Sequence, residues 1–222
     1  MRISRILMAV GVCALMASPA AAQSAAPAAA PAASSNGAQI GVFAGAGAVQ
    51  NVGAIAGGNL GYRVSDNLMI EAEGGWSQDA VTRARLDAIK GLGTYLTQST
   101  GKASTATMTA PAGFGVAGIR YLFSSNSVSP YVALNGGFAK LVLKPAITVG
   151  GTDVTTSLST YGVTLGSDFT GDVTKAAFGG GFGVLINRDR LVIDLGLRLL
   201  SIQTDGQATN LTSARFGIAY RF

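Results

Sequence analysis

The last ten residues, S-A-R-F-G-I-A-Y-R-F, alternate at a period of two. Phe216, Ile218, Tyr220 and Phe222 share one face, while Arg215, Gly217, Ala219 and Arg221 share the other. A chain that repeats this pattern must satisfy the backbone edges of many strands, and this chain repeats it. Eight segments of that character occupy residues 38–49, 52–64, 68–77, 112–123, 131–144, 173–186, a run from Leu191 through Leu199, and 213–222, separated by turn signals. After residue 37 no apolar run reaches the roughly 18 residues that a membrane-spanning helix needs.

The faces sort by chemistry. In the second segment Leu60, Tyr62 and Val64 oppose Asn59, Gly61 and Arg63; in the third Leu68, Ile70, Ala72 and Trp76 oppose Met69, Glu71, Glu73 and Gly75. Ile119, Tyr121 and Phe123 oppose Arg120, and Phe178, Phe182, Val184 and Ile186 oppose Lys175, Gly179 and Gly181. In the seventh, Leu191, Ile193, Leu195, Leu197 and Leu199 oppose Asp194 and Arg198. In the fifth, Tyr131, Leu141 and Leu143 are read as opposing Lys140 and Lys144, which leaves Asn135 on the apolar side. The first segment is rich in Gly and Ala, and the face of Phe43 stays open.

Nine charges, Arg63, Glu71, Glu73, Arg120, Lys140, Asp194, Arg198, Arg215 and Arg221, thus fall opposite the aliphatic and aromatic set. An Arg or Lys on a lipid-facing barrel surface near mid-membrane costs about 2–4 kcal/mol, so these charges are expected to face a lumen. Unpaired strand edges in lipid are equally prohibitive, so the sheet is expected to close. Tight turns at residues 65–67, 124–130 and 187–190 alternate with mostly longer connections, which puts the aromatics at two rims. Tyr62, Tyr121, Phe123, Tyr131, Tyr220 and Phe222 form one girdle, and Trp76 and Phe178 a thinner one opposite.

The N-terminus reads as a removable leader. Arg2 and Arg5 precede an apolar run at 6–16, and Ala20, Ala21 and Ala22 offer a cleavage site, so residues 1–22 are expected to be a signal peptide. Its loss removes Cys13, the only cysteine, and lowers the formal charge from +5 to +3, too modest to argue for nucleic acid. Residues 23–37 are an Ala/Pro/Ser spacer, leaving 38–222 as the folded domain.

Two long excursions, 78–111 and 145–172, need a reason in so small a domain. Within the first, residues 79–97 could form an amphipathic helix with Asp79 as N-cap and Val81, Ile89, Leu92 and Leu96 on one side. The G-x-G-x-x-G match of Gly113, Gly115 and Gly118 lies inside a strand pattern, without the strand-to-helix junction of a dinucleotide site. With no histidine and no mature cysteine, the commonest general base and the thiol nucleophile are absent, and no cofactor is implied.

The signal peptide and the closing strand F-G-I-A-Y-R-F make the chain resemble the small outer-membrane β-barrel proteins of Gram-negative bacteria, the porin-family or OmpA/OmpX-like barrel domain. That resemblance implies an all-β, closed, antiparallel up-and-down transmembrane barrel, with eight strands by the segment count. It also implies residence in the outer membrane against lipid and lipopolysaccharide. The assembly machinery would read the closing strand through Phe216, Ile218, Tyr220 and Phe222. Full-length OmpA proteins carry a peptidoglycan-binding domain after the barrel, and none is expected here. Three functions stay open. One is a non-enzymatic barrel with a largely plugged polar lumen, contacting surface ligands through 78–111 and 145–172. Another is a narrow channel for small solutes, for which inward Gly75, Gly179, Gly181 and Gly217 would leave room for water. The third is a soluble lipocalin-like barrel with the two faces exchanged.

Overall fold

The computed structural model describes residues 37–222 except 125, 205 and 206. The expected signal peptide and nearly all of the spacer lie outside the described residues. Ten strands form: β1 (Ala38–Ala48), β2 (Val52–Arg63), β3 (Leu68–Ser77), β4 (Ser104–Thr109), β5 (Ala112–Leu122), β6 (Val128–Val149), β7 (Thr152–Asp153), β8 (Gly171–Arg188), β9 (Leu191–Thr204) and β10 (Gln207–Arg221). One helix, α1 (Arg83–Thr100), precedes β4.

Eight of these strands make a closed ring, β1-β2-β3-β5-β6-β8-β9-β10, with every pairing antiparallel. Closure is made by β1 and β10 from Gln39 opposite Arg221 to Ala48 opposite Thr212, so the terminal segment with the cleanest alternation is the one that removes the last open edge. The strand period decides which face is inside. Along β3, Met69, Glu71 and Glu73 are 1%, 3% and 6% exposed, whereas Ile70 and Trp76 are 52% and 47% exposed. Charges turn inward and aliphatics outward, which overturns the soluble, ligand-binding alternative. The G-x-G-x-x-G glycines lie within β5, a strand of the ring.

Inside, three layers succeed one another. Toward the end with tight turns, Met69, Leu122, Ala133, Leu185, Val192 and Ala219 make a small apolar cluster around the Tyr131 ring. Charged side chains occupy the middle. Toward the loop end a larger cluster begins with Phe43, Ile55, Val116, Leu200 and Leu211 and continues without a break into the excursions through Val81, Ile89, Leu96, Met108 and Ile147.

The excursions therefore form a packed crown. β6 runs past the ring, and its last six residues pair with β4, Ser104 opposite Val149 and Thr109 opposite Lys144, while β7 pairs back on Thr148 and Val149. β4 alternates only weakly: Ala106 and Met108 are buried, and Thr105, Thr107 and Thr109 are exposed. The helix begins later than expected, at Arg83 after an N-cap at Thr82. Asp79 is not its cap, because its carboxylate is engaged elsewhere. Oδ1 accepts the backbone N–H of Val81 at 3.1 Å and of Ala110 at 3.0 Å, and Oδ2 accepts Asn51 Nδ2 at 3.2 Å. One side chain thus ties the start of the first excursion to its end and to the β1–β2 turn.

Candidate functional site

The middle layer of the lumen is the densest concentration of charge in the barrel. Strand alternation delivers Glu71 and Glu73 from β3, Arg120 from β5, Tyr131 from β6, Asp194 and Arg198 from β9, and Arg215 from β10 to a common level. Arg120, with no exposed surface, approaches Glu71 Oε2 at 2.7 Å and donates to Asp194 Oδ2 at 3.0 Å. Arg198 Nη2 donates to Glu71 Oε1 at 3.1 Å and to Glu73 Oε1 at 2.8 Å. Arg215 brings both terminal nitrogens to Glu73 Oε2 at 3.1 Å. Three arginines meet three carboxylates, so the layer carries no net charge, the condition under which buried ions are tolerated.

Aromatic rings complete the packing. Arg120 stacks 4.2 Å from the centroid of the Tyr131 ring, and Arg215 lies 4.4 Å from that of Phe43, which places Phe43 inside. Tyr131 Oη donates to Asp194 Oδ1 at 2.7 Å. The ring of Tyr131 fits because Gly183 and Gly196 face each other across β8 and β9. A Cβ on Gly196 would come 2.4 Å from the hydroxyl, and one on Gly183 would come 2.7 Å from it.

Tyr131 is therefore a lumen residue, not part of an aromatic girdle. Its 2% exposure and its bond to Asp194 correct the expected face of β6. The outer face of β6 is Val132, Leu134 and Phe138, all exposed. Lys140 shares that outer face, 55% exposed in its side chain, and pairs with Asp172 at 2.6 Å instead of joining the lumen charges. The misreading has a physical cause: the inner face of β6 is itself apolar, because Ala139, Leu141 and Leu143 belong to the crown-side core. Once the register is reversed, Asn135 falls inside, where it meets Gly179.

Arg63 and Arg221 face inward but stand apart from the network, at the tight-turn end. Arg221 donates to Asn187 Oδ1 at 2.6 Å. The space over the inward glycines is taken by side chains: Phe114 lies over Gly75, Arg198 over Gly181, Asn135 and Leu200 over Gly179, and Asp194 and Phe43 beside Gly217. Among the described residues, two cavities beside the network hold about 20 Å³ each. One touches Gln39, Phe43, Tyr131 and Asp194, and the other Ile55, Phe114, Asn135 and Leu211. Each has room for about one water.

The family model for the outer membrane protein beta-barrel domain matches residues 10–222. The chain belongs to this family. No curated protein matches it in sequence. Among solved structures it is similar to Neisserial surface protein A, at 14% identity over 85% of this chain and 98% of that one, with a TM-score of 0.48. Ail of Yersinia pestis gives 13% identity over 84% and 97% of the two chains and a TM-score of 0.45. The N-terminal β-barrel domain of Pseudomonas aeruginosa OprF gives 15%, 83% and 97%, and 0.43.

As a member of this family the protein sits in the outer membrane, and its outer wall meets lipid. That wall is apolar: Ile40, Val42, Leu60, Leu134, Phe182, Leu195 and Ile218 are all exposed. Tyr62, Tyr121, Phe123, Tyr220 and Phe222 stand on its outside toward the tight-turn end, with Tyr121 and Phe123 edge to face at 5.3 Å and Tyr220 and Phe222 at 5.2 Å. Trp76 and Phe178 stand outside toward the loop end.

Proposed function

We propose that this outer-membrane barrel is non-enzymatic, that its lumen is closed to solutes, and that its crown is a surface for interaction outside the cell. The neutral layer of Arg120, Arg198 and Arg215 on Glu71, Glu73 and Asp194 carries this reading. It spans the lumen from β3 to β9 and β10, is sealed by apolar side chains on both sides, and leaves cavities of only about 20 Å³. The same engagement argues against catalysis, since both glutamates are held by arginines and no histidine is present.

In this reading the tight turns face the periplasm and the crown faces outward. The aromatics Tyr62, Tyr121, Phe123, Tyr220 and Phe222 form the periplasmic girdle, and Trp76 and Phe178 mark the outer one. Phe216, Ile218, Tyr220 and Phe222 serve the assembly machinery as its signal, and lipopolysaccharide surrounds the outer half of the wall. Surface ligands engage residues 78–111 and 145–172, where α1, β4 and the end of β6 supply a packed, threonine-rich platform.

Protease treatment of intact cells tests the orientation. Cleavage within 78–111 before permeabilisation supports it, with the barrel remaining heat-modifiable on gels. Cleavage only after permeabilisation contradicts it. Replacing residues 80–110 by a short turn then tests the role of the crown: such a barrel still inserts but loses cell-surface binding.

A further inference from the structure

Among the described residues, two lumen arginines form no ion pair with a carboxylate. Arg63, the last residue of β2, is 5% exposed on the inner face, and its Nε and Nη2 lack any hydrogen-bond partner. Arg221 ends β10 on the far side of β1. Gln39 of β1 stands between them, opposite Arg221 on one side and Gly61 on the other, itself 5% exposed with an unpartnered Oε1. Gly37 joins the two arginines: its carbonyl accepts the Arg63 backbone N–H at 3.1 Å, and a Cβ built on it would lie 3.5 Å from Arg221 Cγ. Among the described residues neither arginine forms an ion pair. Asp66, in the turn after β2, acts on Arg63 only through space. Residues 1–36 contain no Asp or Glu, so the preceding segment cannot supply the missing charge.

We infer that this mouth is an anion site, built for an oxyanion of the phosphate type between Arg63 and Arg221. A buried guanidinium without a counter-charge is costly, and an arginine that served only the membrane surface would extend outward to the headgroups. Arg63 instead turns into the barrel. Guanidinium forks match the oxygens of a phosphate two at a time. The geometry stands independently of the proposed closed lumen. Only the compartment of the ligand rests on that orientation: free phosphate in the periplasm, or the headgroup of an inner-leaflet phospholipid.

The test uses the mature chain folded in zwitterionic detergent. Inorganic phosphate is titrated against chloride at constant ionic strength while the Nε–Hε signal of Arg63 and the thermal unfolding midpoint are followed, and the titration is repeated with short-chain phosphatidylglycerol in place of phosphate. Saturable binding of either probe, weakened at least about tenfold in both Arg63→Gln and Arg221→Gln, is the expected result, the loss of one charge-assisted bond being worth about that factor. Saturation by phosphate assigns a soluble ligand, and saturation by the lipid alone assigns a headgroup. Absence of saturation with both probes overturns the site, as does binding by Arg63→Gln and Arg221→Gln as tight as that of the unaltered protein, which would place the anion elsewhere. Arg221→Gln lies on a different strand from Arg63→Gln, so the test survives if one variant fails to fold.

Discussion

The middle of the lumen and its tight-turn mouth both receive arginines from the inward faces of ring strands, yet their electrostatics differ. In the middle, Arg120, Arg198 and Arg215 meet Glu71, Glu73 and Asp194, and every charge has an opposite within hydrogen-bonding reach. At the mouth, Arg63 and Arg221 face inward with no carboxylate paired to either among the described residues. A neutral, interlocked layer is what a closed wall needs, because each ion is too costly to leave once its partners are fixed. An unbalanced pair of cations is what a ligand site needs, because the missing charge arrives with the ligand. In the proposed reading the same inward alternation yields a plug in one place and a socket in another, depending on whether carboxylates share the level.

Variants can break that contrast. The largest effect is expected for Glu73→Ala, which strips acceptors from Arg198 and Arg215 at once. Breaking a buried pair costs about 3–5 kcal/mol, to be read from urea unfolding in detergent micelles. Combining Glu73→Gln with Arg215→Met should recover part of that loss, since the pair is removed together. A smaller cost, about 1–3 kcal/mol, is expected for Asp79→Ala, which leaves the Val81 and Ala110 N–H groups without an acceptor. It should appear as faster amide exchange across 78–111 with the ring strands unchanged. Arg63→Met sharpens the comparison by its sign: without an added anion it should leave the unfolding midpoint unchanged or higher, because it removes a buried charge that nothing pairs. A marked loss of stability would put Arg63 in the same class as Arg120.

The smallest effect is expected at the edge of the crown. The Thr155 backbone N–H donates to Asp153 Oδ1 at 2.9 Å and holds this exposed carboxyl below the ordinary aspartate value of 3.8. Its folded value is depressed, so the bond is fully present above that ordinary value and is lost as the pH falls through the folded one. The Thr155 amide shift should titrate with a midpoint below 3.8.

Much of the ring was legible because lipid enforces a period of two. Wherever the outer face is aliphatic and the inner face polar, as in β3 and β10, strand and face read directly from the residues. The reading failed on β6 for a reason internal to the fold. There the inner face is apolar at both ends, Tyr131 in the tight-turn cluster and Leu141 and Leu143 in the crown core, and Lys140 stands outside with Asp172 as its partner. Alternation identifies a face by contrast, and a strand apolar on both sides offers none. The network itself was legible only as a set of inward charges. That Tyr131 joins it through Asp194 depends on the Gly183 and Gly196 pair, two positions with no side chain to announce them. The crown escaped for a different reason: its strand β4 is threonine and alanine alternating with little hydrophobic contrast, and Asp79 resembles a helix cap while acting as a tie between distant N–H groups.

The closed lumen is the central claim of the proposed function, and conductance tests it most directly. The folded protein reconstituted in planar bilayers should insert without producing discrete current steps, because in the proposed reading the layer of Arg120, Glu71, Glu73, Arg198 and Arg215 plugs the lumen. Reproducible single-channel steps from the unmodified protein would contradict the account and make the barrel a narrow pore.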